Sequence, residues 1–403
     1  MSIIVAILAL GFLIFFHELG HFLAAKLCGV GVLEFSIGMG PRILSRVYRN
    51  TRYSLKLLPF GGSCAMLGED SAGSGDFLTA EGEPAAEGLE VLPGEHLTAE
   101  DDPWIDFDGV RFRKSEIPKR SFQNKPNAQR FLICIAGVMN NFILAFLLSL
   151  LVVGFCGFDK PIVLSAAENS PAAEADFQQG DILQSISVDG HAKRKLYSYR
   201  ELYIWLYLYS GDFQENSEIT VKLKRNGESI TETFRPYYDA ESQKYRLGLS
   251  MFGGRIAADG PAELIGDAAA ELRYNVLVVL DSIQLIAKGQ VSRNEVMGPV
   301  GTVSVMSSTV QESTQYGLFN AFLVLLELCV MLSANLGVMN LLPIPALDGG
   351  RLLVIIIESL LRRRLDPKIE EKINTVGMLL LLALMVLILG NDLFNLFSGA
   401  YRQ

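Results

Sequence analysis

The residues best suited to chemistry in this chain are two histidines four positions apart, with a glutamate beside the first. They form the sequence His17-Glu18-Leu19-Gly20-His21, an HExxH motif. On a helix, residues four apart share a face, so His17 and His21 can bind one metal ion together. Glu18 then lies next to the metal, where its carboxylate can act as general base. The motif therefore predicts metal-assisted hydrolysis.

The segment that carries this motif is apolar on both sides. It runs from Ile3 to about Cys28 and has no Lys or Arg before Lys26. A cleaved signal peptide needs a basic amino-terminal region, so we expect a retained transmembrane helix instead. Two histidines and a glutamate are then placed in hydrocarbon. Because that placement is costly, ionisable side chains in a membrane helix are functional candidates.

A second polar stretch, late in the chain, can supply the missing metal ligand. A site with two histidines needs a third protein ligand and leaves a fourth position for water. Asp348 is the candidate, although it could instead cap a helix or pair with Arg351. It belongs to the sequence Asn340-Leu341-Leu342-Pro343-Ile344-Pro345-Ala346-Leu347-Asp348-Gly349-Gly350. The prolines hold the chain extended and leave carbonyls and asparagine amides that could bind a substrate strand, and the glycines permit close backbone approach.

Composition places these motifs in a membrane protein that also has a soluble part. The chain has 403 residues, of which 50% are hydrophobic, and a mean hydropathy of +0.30. Spanning a bilayer takes about 20 apolar residues. Four segments are long enough, at 3–27, 129–157, 318–342 and 374–397. The modest net charge of −9, with no basic stripe, argues against nucleic acid as a partner. The five cysteines are expected to be packed thiols, not a disulfide framework.

The region between the first two spans has two parts of different composition. Residues 30–67 are rich in Gly and in strand-forming residues, which predicts β-hairpins that lie against or dip into the membrane. Residues 69–108 are acidic and contain no Lys or Arg. We expect a disordered insertion there, either a solvated loop or a regulatory docking segment.

Basic residues set the expected orientation in the membrane. One cluster lies between Arg111 and Arg130, and a second precedes the last span at Arg362-Arg363-Arg364. By the positive-inside rule, both clusters are cytoplasmic. Both chain termini and the 158–317 region then lie outside. The HExxH motif lies near the cytoplasmic end of its helix.

The region from 158 to 252 predicts a small α/β domain. Strands at 182–188, 219–223, 230–234 and 245–250 are separated by turns and by a helix that begins after Ser198. Two sequences within it resemble the signature of PDZ domains of bacterial proteases, namely Ser170-Pro171-Ala172-Ala173-Glu174-Ala175 and Gly180-Asp181-Ile182-Leu183. A PDZ domain binds extended chain ends by strand addition, or gates access to a protease site. After a linker, residues 261–288 have the apolar spacing of an amphipathic helix.

Taken together, the motifs resemble those of the bacterial site-2 proteases of the RseP type, which are intramembrane zinc metalloproteases. The order matches: HExxH in the first span, a PDZ domain, then N-x-x-P-x-P-x-x-D-G-G in a late membrane segment. Gly298-Pro299-Val300-Gly301 also fits. In the family's A-G-P-x-x-N-F motif, Val138 replaces the proline and Asn141-Phe142 is kept, whereas Arg351 stands where a histidine is common. Neither departure falls on a metal ligand.

The resemblance implies proteolysis within the membrane by a zinc metalloendopeptidase. It assigns zinc to His17, His21 and Asp348, and the role of general base to Glu18. Asn335 and Pro343 match positions that hold the substrate, and Asn340 is expected to join them. Family members cleave single-span membrane proteins, often anti-sigma factors already shortened by another protease, and remnant signal peptides.

The expected fold is a polytopic α-helical membrane protein with about four transmembrane helices. Membrane-associated β-hairpins and an extracytoplasmic α/β PDZ domain complete it, and the expected location is the inner (plasma) membrane, with the active site toward the cytoplasm. Expected partners are transmembrane protein substrates, the lipid bilayer and peptide chain ends at the PDZ domain. Two other functions stay open. One is a membrane-anchored HExxH peptidase that cuts non-transmembrane chains, and the other is a non-catalytic PDZ scaffold.

Overall fold

The computed structural model describes residues 2–69, 102–167, 170–239, 244–290, 297–365 and 367–398. Its helices are α1 (Ser2–Leu27), α2 (Ile117–Arg120), α3 (Asn127–Cys156), α4 (Pro171–Glu174), α5 (Tyr199–Tyr209), α6 (Pro261–Ala287), α7 (Pro299–Ser313), α8 (Leu318–Leu341), α9 (Asp348–Leu361) and α10 (Pro367–Ser398). Its strands are β1 (Val32–Val47), β2 (Arg52–Met66), β3 (Trp104–Phe107), β4 (Val110–Arg113), β5 (Val163–Ala166), β6 (Ile182–Val188), β7 (His191–Lys195), β8 (Ile219–Arg225), β9 (Glu228–Phe234), β10 (Tyr237–Asp239), β11 (Lys244–Arg246) and β12 (Leu249–Met251).

The chain divides into two compact units. The first comprises residues 1–145 and 291–403, and the second comprises residues 146–290. Four helices among the described residues are long and apolar enough to cross a membrane, at Ile3–Leu27, Asn127–Cys156, Leu318–Leu341 and Lys372–Asp392. This confirms the expectation of a polytopic membrane protein. The third of these is one unbroken helix, although it contains Ser333, Asn335 and Asn340 near its end.

The end of α8 is set by two prolines and positions the next helix. Leu342 leaves helical geometry with φ −60° and ψ 140°, as a residue before proline is expected to do. The chain then turns, with Ala346 at φ 71°, and α9 begins at Asp348. A Cβ on Gly349 or Gly350 would overlap backbone carbonyls of this turn. The close approach predicted for the two glycines is therefore required to place Asp348.

Strands β1 and β2 are bent and form four antiparallel segments in place of a simple hairpin. Residues 32–37 pair on one side with residues 62–66 and on the other with residues 52–55. Residues 44–47 pair with the far side of residues 52–55. Gly38, Gly40 and Gly61 have positive φ, which glycine adopts without strain. Residues 62–66 therefore form one edge of this small sheet.

The acidic insertion lies mostly at residues 70–101, which are outside the described residues. The expectation of disorder is wrong for its last part, since β3 pairs with β4 around the turn at Asp108-Gly109. The physical reason is the apolar residues that follow the acidic run. Val110 and Phe112 are buried against Leu33 and Leu67 and fix this hairpin to the first unit.

Helix α7 begins at the Gly298-Pro299-Val300-Gly301 sequence and is held by a carboxylate from α10. Asp392 is fully buried and accepts from the backbone N–H of Gly298 at 2.8 Å and of Gly301 at 2.9 Å. A carboxylate satisfies unpaired N–H groups at a helix N-terminus and interacts favourably with the helix dipole. The carboxyl end of the fourth span is thereby joined to the start of α7.

The second unit contains the strands predicted at 182–188, 219–223 and 230–234. The single strand predicted at 245–250 is wrong, because the chain breaks at Gly248, whose φ is 78°, and forms two short strands, β11 and β12. The main sheet of this unit has the order β7-β6-β8-β9, and β5 pairs with β12. Ser198 caps α5 by accepting from the Arg200 N–H, and Trp205 on α5 lies at the centre of the core. The predicted amphipathic helix α6 packs on this domain through three arginine–carboxylate pairs, Arg194–Asp281, Arg200–Glu271 and Arg273–Glu201.

Candidate metal centre

The two histidines of α1 lie where α1 and α3 come close together. A Cβ on Gly20 would overlap the backbone carbonyl of Ala136, and a Cβ on Gly137 would overlap the His21 ring at Nε2. Only glycine at these two positions lets the helix backbones come so near. His17 and His21 are 8% and 7% exposed. Their rings are thus buried between helices and not solvated.

Three potential ligand atoms meet at this place. The Nε2 atoms of His17 and His21 are 3.2 Å apart, and Asp348 Oδ2 lies 3.2 Å from each of them. Tetrahedral zinc with bonds of about 2.0–2.1 Å separates its ligand atoms by about 3.3 Å. Asp348 Oδ2 is buried, and among the described residues it has no hydrogen-bond partner other than the two histidine rings. This triangle therefore fits a zinc ion, and its donor set of two imidazoles and a carboxylate suits that metal.

The backbone of α3 fixes the ring of His21. Nδ1 of His21 lies 2.8 Å from the backbone carbonyl oxygen of Ile133, which can only accept. Nδ1 therefore carries the proton, and the lone pair of Nε2 faces Asp348. Metal-binding histidines commonly donate their other N–H to such an acceptor, which holds the tautomer and the ring orientation.

A cavity of about 350 Å³ opens beside the triangle and contains Glu18. Strand residues 62–66 pass close to this carboxylate, since a Cβ on Gly62 would lie 3.0 Å from Glu18 Cγ. Cys64 and Met66 from the same strand line the cavity. The facing wall is apolar and is formed by Met378, Leu381, Leu382 and Met385 of α10. The cavity combines a carboxylate, a candidate metal centre and the buried edge segment 62–66 of the small sheet.

An ion pair forms part of the lining of this cavity. Arg351, one turn after Asp348, donates to Glu69, whose other carboxylate oxygen accepts from the backbone N–H of Met66 at 3.1 Å. Burial raises the pKa of the Glu69 carboxyl, and the Arg351 guanidinium opposes this rise. Sequence reasoning missed Glu69 because it was grouped with the acidic insertion. The signal that could have found it is Arg351, a cation one turn after Asp348 on the same helix face, which requires an anion.

Of the three residues expected to bind substrate, one lines the cavity and two do not. Asn340 lines the cavity, and its side-chain nitrogen lies 3.4 Å from His17 Nε2. Asn335 and Pro343 are exposed and are not among the residues that line the cavity. Five residues turn a helix by about 140°, so Asn335 and Asn340 cannot share a face.

Comparison with known proteins extends over nearly the whole chain. The sequence profile of peptidase family M50 matches residues 5–384. A candidate zinc metalloprotease of Fusobacterium nucleatum is 32% identical over 404 residues, covering 99% of this chain and 100% of that one. The regulator of sigma-W protease RasP of Bacillus subtilis is 29% identical over 440 residues, covering 98% and 99%. A zinc metalloprotease RasP of Shouchella clausii is 29% identical over 433 residues, covering 96% and 97%.

Proposed function

The chain belongs to peptidase family M50, the family of the bacterial site-2 proteases, and is a zinc metalloprotease, and from this premise we propose that it cuts its substrates inside the membrane. The bonds cut lie within or near transmembrane segments of single-span membrane proteins. The proposal is supported by the triangle of His17 Nε2, His21 Nε2 and Asp348 Oδ2, whose sides are 3.2 Å. The two histidines belong to a helix that is apolar enough to span a bilayer.

We assign the roles in the site as follows. His17 and His21 would hold zinc through Nε2, and Asp348 would hold it through Oδ2. The ion would supply Lewis-acid chemistry, lowering the pKa of a bound water to about 7. Glu18, in the cavity beside the triangle, takes a proton from the attacking water and transfers it to the leaving nitrogen. The apolar wall from α10 keeps bulk water away from this exchange.

The substrate is proposed to bind as an extended strand, because a peptide bond in a helix is shielded by its own hydrogen bonds. Leu67 donates to Gly31 within the sheet, whereas the N–H of Met66 points away from it, toward Glu69. Alternation along the strand then turns the backbone groups of Gly62 and Cys64 toward the cavity. A substrate strand pairs with these groups and contacts Asn340, while Asn335 and Pro343 contact its flanking residues.

The class of substrate is proposed from the relatives. The Bacillus subtilis relative is named a regulator of sigma-W, and this name supports a role in regulated intramembrane proteolysis. The proposed substrates are therefore membrane-bound regulators of the anti-sigma factor type and remnant signal peptides. The depth of the site within an apolar helix is consistent with such substrates, since a transmembrane segment reaches it without leaving the bilayer.

Residues 158–252 are proposed to form a PDZ domain whose groove takes peptide chain ends. A cavity of about 690 Å³ lies between α5 and the strand β12, lined by Tyr203, Leu206 and Leu249 among others. Among the described residues, β12 pairs with β5 alone. An extended chain can therefore add to its other edge. Gating of access to the protease site is the second role that this domain could have.

The proposed location is the inner (plasma) membrane, with the active site toward the cytoplasm and the PDZ domain outside. This follows from the basic clusters near Arg120 and Arg363 and the positive-inside rule. In a cysteine-free background, Lys224→Cys is expected to react with an impermeant maleimide on intact spheroplasts. Arg363→Cys is expected to react only after permeabilisation. The opposite pattern would overturn the orientation.

Two substitutions test the catalytic assignment. Glu18→Gln is expected to retain zinc, abolish cleavage and accumulate uncut membrane substrate that can be captured and identified. Asp348→Ala is expected to lose zinc, measured by metal analysis of the purified protein in detergent. Full zinc retention in Asp348→Ala would refute the ligand assignment. Unchanged substrate processing in Glu18→Gln would favour a non-catalytic scaffold. Cleavage of soluble chains alone would favour the membrane-anchored peptidase.

A further inference from the structure

We propose that Asn141 is a positioning residue for His17, and that its side-chain carbonyl oxygen accepts the Nδ1–H of the His17 ring. The inference rests on the zinc site proposed above. In this arrangement, helix α3 orients both imidazole rings so that their Nε2 lone pairs face the proposed metal position.

The starting observation is a hydrogen-bonding mismatch beside His17. Asn141 is fully buried, and the two atoms that face each other at 3.1 Å are its side-chain nitrogen and His17 Nδ1. Its side-chain oxygen Oδ1 is also buried and has no hydrogen-bond partner among the described residues. In this arrangement the amide donates to the ring, which leaves the proton of a neutral imidazole on Nε2.

A proton on Nε2 is incompatible with the triangle that the site forms. Nε2 of His17 is the atom that lies 3.2 Å from both His21 Nε2 and Asp348 Oδ2. A metal ligand needs a free lone pair at that atom, so Nδ1 must carry the proton and act as a donor. Nδ1–H cannot pair with an amide NH₂, because both are donors.

Rotating the Asn141 amide by 180° removes the mismatch at the ring. The oxygen and nitrogen of an asparagine amide have nearly the same shape, and their assignment follows from the hydrogen-bond network. With the two atoms exchanged, Oδ1 accepts from His17 Nδ1–H at the same 3.1 Å separation. The oxygen thereby gains a partner, the amide nitrogen takes the position at which Oδ1 had none, and the lone pair of Nε2 is available to the metal.

His21 provides an internal comparison on the same helix. Its Nδ1 donates to the backbone carbonyl of Ile133 at 2.8 Å. Ile133 and Asn141 are eight residues apart, about two turns, and so lie on one face of α3. That face presents one acceptor to each ring, a main-chain carbonyl to His21 and a side-chain carbonyl to His17.

The surroundings of Asn141 hold it in place from two sides. Ser333 of α8 donates through Oγ to the backbone carbonyl of Asn141 at 2.8 Å. The neighbouring Asn140 donates through its side chain to the backbone carbonyl of Phe16 on α1. These bonds tie α3 to both neighbouring helices at the level of His17. Asn140 therefore offers a matched control for Asn141. Its side chain also joins α3 to α1, but its hydrogen bond goes to a backbone carbonyl and not to a ring nitrogen.

The test compares zinc affinity in three variants purified in detergent, measured by competition with a chromophoric chelator. Asn141→Leu keeps the size of the side chain and removes the acceptor, and it is expected to weaken zinc binding by about 10–100-fold, as loss of an outer hydrogen bond to a metal-bound histidine does. Asn141→Asp keeps an acceptor in the same position and is expected to bind zinc at least as tightly as the parent. Asn140→Leu is expected to retain the parent's affinity.

The outcomes show whether Asn141 positions the His17 ring or only fills space between the helices. Unchanged affinity in Asn141→Leu, or a loss in Asn141→Asp as large as in Asn141→Leu, would overturn the proposal. Ring-¹⁵N solid-state NMR of the zinc-loaded parent gives a second readout that needs no variant. It should show His17 Nδ1 protonated, and an unprotonated Nδ1 would also overturn the proposal. A parent protein that bound no zinc would instead refute the proposed function, which Asp348→Ala tests separately.

Discussion

Gly137 decides how near helix α3 can come to the face of α1 that carries His17 and His21. Its missing side chain leaves room for the His21 ring, because a Cβ there would overlap Nε2. We predict that Gly137→Ala displaces this ring and lowers zinc affinity by roughly tenfold or more, comparable with the loss of an outer-shell partner. Equilibrium dialysis against zinc buffers in detergent measures the effect.

Gly390→Ala is the matched control for that substitution. Gly390 also lies in a membrane helix, and a Cβ built on it meets nothing within 4 Å. Zinc affinity in this variant should equal that of the parent. Equal affinities in Gly137→Ala and the parent would mean that α3 can move away from His21 at little cost, which would contradict tight packing of α3 against this ring.

Among the helices, the Gly298-Pro299-Val300-Gly301 sequence is explained by the way in which α7 begins. Its two glycine N–H groups both donate to Asp392, a carboxylate from a helix more than ninety positions later. Asp392→Ala would leave these buried donors unpaired at a cost of about 1–3 kcal/mol each. We predict a lower thermal unfolding temperature in detergent for this variant.

The control for Asp392→Ala is Phe394→Ala on the same helix. Phe394 is 70% exposed, so its truncation should leave the unfolding temperature nearly unchanged. Asp392→Asn keeps one acceptor and should give an intermediate value. If Asp392→Ala unfolded at the same temperature as the parent, the carboxylate would not be holding the start of α7.

At the scale of the whole molecule, the two compact units have separate cores. Trp205 is fully buried in the second unit and donates from Nε1 to the backbone carbonyl of Ala192 at 2.7 Å. Trp205→Ala is expected to cost about 3–5 kcal/mol, the usual range for truncating a buried aromatic residue. We predict faster hydrogen exchange across residues 182–234, with zinc affinity unchanged.

Tyr203→Ala serves as the control, because Tyr203 lies on the same helix and is 53% exposed. Its hydrogen exchange should match that of the parent. Loss of zinc in Trp205→Ala comparable with the loss expected for Asp348→Ala would contradict the separation of the two cores. Such a result would mean that the proposed metal ligands depend on the folded second unit.

The amino-acid sequence by itself determined the features that depend on neighbouring residues. Four spans follow from the length of apolar runs, and the shared face of His17 and His21 follows from helix periodicity. The extended exit from α8 follows from Pro343, because proline restricts the residue before it. Asp348 could be proposed as a ligand only because a two-histidine site needs a third one. No local pattern links it to a helix more than three hundred residues earlier in the chain.

Only the tertiary structure decided which distant groups meet. It brought Asp348 to 3.2 Å from both rings, paired Arg351 with Glu69 in place of Asp348, and set Asn141 against His17. It also separated Asn335 from the cavity that Asn340 lines. The physical reason is that local pattern fixes the face on which a side chain lies, whereas its partner depends on how the helices pack. At this site, packing is set by close contacts at Gly20, Gly137 and Gly349, whose effect no periodicity reveals.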